Sequence, residues 1–348
     1  MNIYYSKTYQ KELYEIAADL PMRSGSILIT GASGLIGSCM VDALLTANRQ
    51  LGTEYMIYAL GRDNDRLKNR FPYAGEDLKF VIQDITAPLD KGSHYDYIVH
   101  AASNADPVSY AKYPAETILT NVDGARTVLE YCREHRETRA LLTSTFEVYG
   151  RHEEDVYAEE DFGKLDQNDV RSGYPESKRV SELLFRSYAR QYGTDVVIGR
   201  LSSVYGPTML KDDSKAHAQF LRNGLAGENI VLKSNGAQKR TYCYVMDAVS
   251  GLFTVLFAGA GGEAYNIANK ESVSTIVGVA ECIADLCGTK IVFDIPDEIE
   301  KQGFSRPQNC ILEAKKLESL YWKGRYDLLT GMRNTIEILR EMQSGRER

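Results

Sequence analysis

Six apolar runs of four to six residues, none alternating with polar residues, constrain this chain more than any other feature. They fall at 26–30, 55–60, 78–82, 97–100, 140–143 and 195–199. A strand solvated on one face alternates, whereas an unbroken run marks a strand buried on both faces, and the intervals between these runs leave room for crossover helices. The pattern predicts an α/β fold, a Rossmann-type doubly wound parallel sheet, over the first two-thirds of the chain. Ahead of it, Tyr9, Leu13, Ile16 and Leu20 keep helical spacing. Beyond Pro207 the segments shorten, with helices predicted at 216–225, 272–287 and 331–342 and strands at 230–233 and 291–294. This reads as a smaller, partly interleaved C-terminal α/β substrate lobe, with Tyr321 and Trp322 in its core. The expected division is a parallel-sheet domain over residues 1–206, to which 242–268 returns, and a second lobe from 207–241 and 269–348.

Composition narrows the partners. With 348 residues, 43% hydrophobic and 26% charged, the chain is ordinary for a globular protein, which sets aside collagen, disorder and disulfide scaffolds. A net charge of −7 argues against nucleic acid or an anionic membrane as partner, since phosphate contact needs a basic face. An anionic small molecule can still be held by a few local arginines. The six cysteines and five histidines form no metal-ligand spacing, so no metal is expected and the thiols are taken as reduced. Residues 1–20 lack the apolar core of a signal peptide and no run of 18 apolar residues exists. The expected location is the cytoplasm.

The first run passes directly into Thr30-Gly31-Ala-Ser33-Gly34-Leu35-Ile36-Gly37. Gly31 suits the tight turn, Gly34 the close approach of backbone to a pyrophosphate, and Gly37 the packing of helix on sheet. The amides at the helix start then face the anion. An acid usually ends the second strand of an NAD site; Leu60-Gly61-Arg62-Asp63 has none at that position, and Arg62 could meet a 2′-phosphate, so NADP stays open beside NAD. His100, before Ala101-Ala102-Ser103, is expected to line the cofactor wall. Further on, Tyr174-Pro-Glu-Ser-Lys178 puts a phenol and an ammonium on one helical face. Lowering a tyrosine pKa by about three units takes roughly 4 kcal/mol, which a nearby Lys⁺ and a positive nicotinamide could supply.

Leu142-Thr-Ser144-Thr145-Phe146-Glu147-Val-Tyr-Gly150 follows the fifth run, where a strand end overlies the ligand crevice. With these motifs, the chain from about residue 26 to residue 340 resembles the extended short-chain dehydrogenase/reductases of the nucleotide-sugar epimerase/dehydratase/decarboxylase family. Arg200-Leu-Ser-Ser-Val-Tyr205-Gly206-Pro207, Arg240 within Lys239-Arg-Thr-Tyr-Cys-Tyr-Val-Met-Asp247, and Tyr265-Asn266-Ile267 match further family segments. The resemblance implies a catalytic set of Thr145, Tyr174 and Lys178 with Glu147. It implies dinucleotide contacts from the glycine loop, Asp84, Ile85, Ala101, Ala102, Ser103 and Asn121, besides Tyr174 and Lys178. It implies sugar-nucleotide contacts from Tyr110, Ser144, Thr145, Arg240 and Arg306, the two arginines at the diphosphate. It also implies a homodimer through the helices at 114–131 and 174–192.

Glu147 separates the branches of that family. Simple 4-epimerases usually carry threonine there, whereas 4,6-dehydratases and UDP-glucuronate decarboxylases carry glutamate for acid–base work near C5. Phe146 stands where the dTDP-glucose dehydratases have their aspartate. Asp106-Pro107-Val-Ser-Tyr110, Pro114 and Thr117-Ile-Leu-Thr-Asn121-Val-Asp-Gly124 are similar to decarboxylase segments, as is Arg171-Ser-Gly-Tyr174-Pro-Glu-Ser-Lys178-Arg-Val-Ser-Glu182. Phe146 and Ser203 depart from that branch at a common serine and a common asparagine. The leading expectation is a UDP-glucuronate decarboxylase-like enzyme that oxidises C4 with bound NAD(P), acts at C5 and re-reduces. The alternatives are a 4-epimerase or 4,6-dehydratase, and last a non-catalytic nucleotide sensor.

Overall fold

A computed structural model describes residues 2–21, 24–295 and 308–344. In chain order the first elements are α1 (Lys7–Ala18), β1 (Ser24–Thr30), α2 (Leu35–Leu51), β2 (Glu54–Gly61), α3 (Asn64–Arg70), β3 (Leu78–Ile82), β4 (Tyr97–His100), α4 (Pro107–Lys112) and α5 (Pro114–Glu134). Then come β5 (Arg139–Thr145), β6 (Val156–Tyr157), α6 (Gly173–Tyr192), β7 (Asp195–Leu201), β8 (Ser203–Tyr205), α7 (Ala216–Leu225), β9 (Ile230–Leu232), β10 (Lys239–Tyr244) and α8 (Val245–Ala258). The last are β11 (Ala264–Ile267), β12 (Val273–Thr275), α9 (Ile276–Cys287), β13 (Ile291–Phe293), β14 (Ile311–Leu312), α10 (Lys315–Glu318) and α11 (Leu328–Ser344).

The six runs become six neighbouring strands, and β11 adds a seventh. The sheet order is β11-β7-β5-β4-β1-β2-β3, and every pairing in it is parallel. Successive residues of one strand enter different cores, as a period of two requires. Ile27, Ile29, Val99, Leu141 and Val197 face the layer of α1, α2 and α8. Leu28, Ile98, Ala140, Leu142, Val196 and Ile198 face the layer of α5 and α6. Each side chain is nearly or wholly removed from water, and burying one Val, Leu or Ile contributes about 1.5–3 kcal/mol. The order reverses between β1 and β4, which opens a crevice at their C-terminal ends.

Segment 242–268 is divided between sheets. α8 packs on β5 and β7, and β11 joins β7, while Tyr242–Tyr244 belongs to a three-stranded sheet β12-β10-β8. The helix expected at 272–287 starts later than its spacing suggested. Val273–Thr275 pairs antiparallel with β10, and Thr275 caps α9 by accepting from the Gly278 amide at 2.9 Å. A β-branched pair ending in a capping hydroxyl favours that break. Trp322 is buried and its indole N–H donates to Ser250 at 2.9 Å. Tyr321, expected beside it in the core, is 99% exposed. It holds φ 65° in the turn after α10, and that turn directs its ring to solvent. Among the described residues no helix is long and apolar enough to cross a membrane.

Candidate active site at the β1–β4 crevice

The glycine loop is fixed by what its missing side chains permit. Gly31 has φ +66°, and a Cβ there would lie 2.8 Å from the Ala102 Cα and 2.9 Å from the Ala101 carbonyl oxygen. A Cβ on Gly37 would lie 2.5 Å from the Gly31 carbonyl oxygen. The loop therefore rests directly on the wall that follows β4. α2 begins after Gly34 with no side-chain cap and no acid in its first turn. The Leu35, Ile36 and Gly37 amides thus stand ready for an anion, with Ser33 half-buried beside them. This cradle fits a dinucleotide diphosphate.

Thr30 joins the loop to the wall. Its hydroxyl accepts from the Ala101 and Ala102 amides at 3.1 and 3.0 Å and lies 3.0 Å from His100 Nδ1. With both lone pairs taken, its proton goes to Nδ1, so His100 carries its own proton on Nε2. Burial, and then the Lys178 charge, lower the His100 pKa to about 3, and the ring is a neutral wall element. Ser103 donates to Asn121 at 2.7 Å, Asn121 to Ser177 at 2.8 Å, and Ser177 to the Tyr174 carbonyl at 2.8 Å. That chain couples the wall to the start of α6. The sequence reading missed Ser177, although it lies inside the Tyr174–Lys178 motif.

Thr145 ends β5 and accepts from the Glu147 amide at 3.3 Å, which opens the 3-10 turn Phe146–Tyr149. Tyr174, buried in the first turn of α6, lies near enough to Thr145 for that hydroxyl to pull its pKa down. Its ring stacks on Tyr110 with centroids 5.0 Å apart and planes 10° apart. Thr145, Glu147, Tyr174 and Tyr110 therefore lie together at this crevice. The lowered phenol pKa does not hold for the chain alone. Burial above all, then the charges of Glu147 and Tyr110, push Tyr174 well up. Lys178 points its ammonium at the Thr143 carbonyl, 3.0 Å away, and burial lowers its own pKa to about 8.

Half-buried Glu147 is raised by desolvation, against Arg171, Arg240 and Lys215, which all pull it down. Arg240 reaches across from β10 with its guanidinium 5.8 Å from the Phe146 ring centroid, and its buried Nε has no partner among the described residues. Arg171 Nη2 donates to the Tyr110 hydroxyl at 3.4 Å. Arg171 and Lys215 were not expected here; Arg171 was visible only as the first residue of the α6 motif. A family model for the NAD dependent epimerase/dehydratase family matches residues 27–268. The chain belongs to this family. It is 34% identical over 310 residues to UDP-glucuronic acid decarboxylase 6 of Arabidopsis thaliana, covering 88% of this chain and 86% of that one. It is 30% identical over 316 residues to UDP-glucuronic acid decarboxylase 1 of Xenopus tropicalis, covering 90% and 72%. A dTDP-glucose 4,6-dehydratase of Streptomyces venezuelae solved with NAD superposes with a TM-score of 0.76 at 26% identity, covering 92% and 98%. A UDP-glucuronic acid 4-epimerase of Bacillus cereus solved with UDP-glucuronic acid and NAD shares the fold, with a TM-score of 0.75 at 22% identity, covering 91% and 99%.

Two expected side chains turn elsewhere in this member of the epimerase/dehydratase family. Ser144, expected at the sugar, donates to Glu182 at 2.5 Å. Glu182 in turn holds Arg200 at 2.8 Å, and Arg200 donates to Tyr149 at 3.0 Å. Strand alternation carries Ser144 to the opposite side from Thr145, into a buried network that ties β5, α6 and β7 together. Ile85, expected beside an adenine, is 4% exposed and belongs to the core; a Cβ on Gly124 would meet its Cγ2 at 3.2 Å. Arg306 lies outside the described residues. Arg62 and Asp84 meet just beyond the ends of β2 and β3, at 3.6 Å.

Proposed function

We propose that this chain oxidises C4 of a nucleotide-linked uronic acid, releases its C5 carboxylate as CO₂ and restores the C4 hydrogen, in the manner of a UDP-glucuronic acid decarboxylase. The observation that carries this reading is the surroundings of Glu147. A carboxyl that burial pushes above its usual range, beside Thr145 and Tyr174, faces three cations, Arg171, Arg240 and Lys215. A sugar carrying a carboxylate at C5 supplies negative charge that a neutral hexose lacks. The decarboxylases similar to this chain support the same reading.

The glycine loop, Ala101–Ser103, Asn121 and Lys178 would hold NAD. Bound there, it supplies reversible acceptance of the C4 hydride. Tyr174 Oη takes the proton of the C4 hydroxyl. Since burial holds the phenol protonated in the chain alone, this role requires added positive charge beside it. Thr145 and Tyr174 hold the C4 oxygen, the atom that gathers electron density as the C5–C6 bond breaks. Glu147 is placed to return a proton to C5, a role that the upward push of burial on its carboxyl favours. Arg240, whose Nε is unmatched among the described residues, binds the anionic end of the sugar nucleotide. The outer faces of α5 and α6 expose Ile118, Leu119, Val180 and Leu183, an apolar stripe suited to a second copy of the chain in a homodimer. All six cysteines are free thiols, which fits a cytoplasmic enzyme. The test is incubation with UDP-glucuronate and a panel of nucleotide hexoses, with products read by mass. Loss of CO₂ from the uronate alone is expected; loss of water, or an isobaric product, would assign dehydration or epimerisation instead.

A further inference from the structure

Strand β2 delivers the chain to the adenosine end of the cradle. The Ala32 amide donates to the Leu60 carbonyl at 3.2 Å, so the strand ends at Gly61 beside the glycine loop and residues 62–63 leave the sheet there. At this place in a doubly wound fold, a carboxylate accepts from the ribose hydroxyls of NAD, whereas an arginine accommodates a 2′-phosphate. Gly61 offers no side chain, and a Cβ there would meet Leu67 Cδ1 at 3.3 Å. An acid at that position would therefore press on α3.

Both nearby carboxylates are already committed. Asp63 caps α3, accepting from the Arg66 amide at 3.0 Å. Asp84 accepts from the Thr86 amide at 2.9 Å and the Thr86 hydroxyl at 2.8 Å, and these bonds, the amide's first, hold its carboxyl below the usual range. Arg62 is the loosely held charge of the group. Its side chain is 77% exposed and its ion pair with Asp84, at 3.6 Å, is itself solvated, so the pair holds it weakly. Arg66 is exposed one turn along. A phosphate dianion can accept two parallel bonds from a guanidinium, a stronger arrangement than the loose pair it would replace.

We propose that Arg62 is a cofactor-specificity residue that lets this chain bind NADP at least as tightly as NAD, through the 2′-phosphate of the adenosine ribose. The inference rests on the dinucleotide reading of the cradle given above. It is tested by calorimetric titration of the nucleotide-free protein with NADP and with NAD, for the natural chain and for Arg62→Ala. Because Arg62 is exposed, the variant should fold, which circular dichroism checks. The expected result is an NADP-to-NAD Kd ratio at or below one, rising roughly tenfold in Arg62→Ala. A ratio above one in the natural chain, or a ratio unmoved by the substitution, would overturn the inference while leaving the dinucleotide reading intact. If neither dinucleotide binds, the reading of the cradle falls and the inference with it.

Discussion

Replacing Thr30 by valine removes a single hydroxyl while keeping the shape of the side chain. That hydroxyl is fully buried and serves three partners, the Ala101 amide, the Ala102 amide and His100 Nδ1, at 3.1, 3.0 and 3.0 Å. Valine would leave two donors and one acceptor unpaired between β1 and β4. Each buried orphan costs about 1–3 kcal/mol. The two amides are only half-covered, so the lower end applies, and the sum comes to about 3 kcal/mol. Against a total of about 5–15 kcal/mol the variant should fold but with a large share of its margin gone. Urea unfolding followed by circular dichroism should show an earlier midpoint at unchanged slope. Thr30→Ser, which keeps the hydroxyl, should lie close to the natural chain. A loss below about 1 kcal/mol for valine, or an equal loss for serine, would refute the three-partner account.

Four further outcomes follow from the same geometry. Tyr174→Phe should lower turnover roughly 10²–10⁴-fold while UDP-sugar affinity, measured by calorimetry, stays near that of the natural chain. Glu147→Gln should halt the reaction after C4 oxidation, so that absorbance reports accumulating reduced cofactor while mass spectrometry finds no decarboxylated sugar. Glu12 accepts from Tyr244 and Asn334 at 2.7 and 2.6 Å, yet burial raises it from 4.5 to about 7. Its folded pKa lies above the unfolded one, so its share of stability is whole below pH 4.5 and is lost as pH rises through about 7, by about 3 kcal/mol at most; Glu12→Gln should flatten that fall in urea unfolding at pH 5 and pH 8. Leu119→Arg on α5 should shift size-exclusion elution to the monomer if α5 and α6 pair two copies of the chain.

The parallel sheet was legible because its strands are buried on both faces, a pattern few other structures produce. The cradle was legible for a similar reason: Gly31 and Gly37 stand where any Cβ would strike backbone. Side-chain direction was less so. Ending the fifth run at Thr143 hid the alternation that carries Thr145 to the site and Ser144 to Glu182. The charge balance at Tyr174 was only partly legible, because a motif displays Lys178 but not the burial that raises the phenol, nor Glu147 and the stacked Tyr110 ring, which raise it further. Arg171 and Lys215 reach Glu147 from separate parts of the chain, and only the tertiary fold brings them together. Val273–Thr275 was taken into a helix because an apolar helix follows it directly, and its pairing with β10 is non-local.

The claim that C4 is oxidised and then restored within one active site is tested most directly with UDP-glucuronate carrying deuterium at C4. If the account holds, the purified chain will release CO₂ and give a pentose nucleotide that keeps the label at C4. A pentose that has lost the label to solvent, or a labelled uronate recovered with its carboxylate in place, would contradict it.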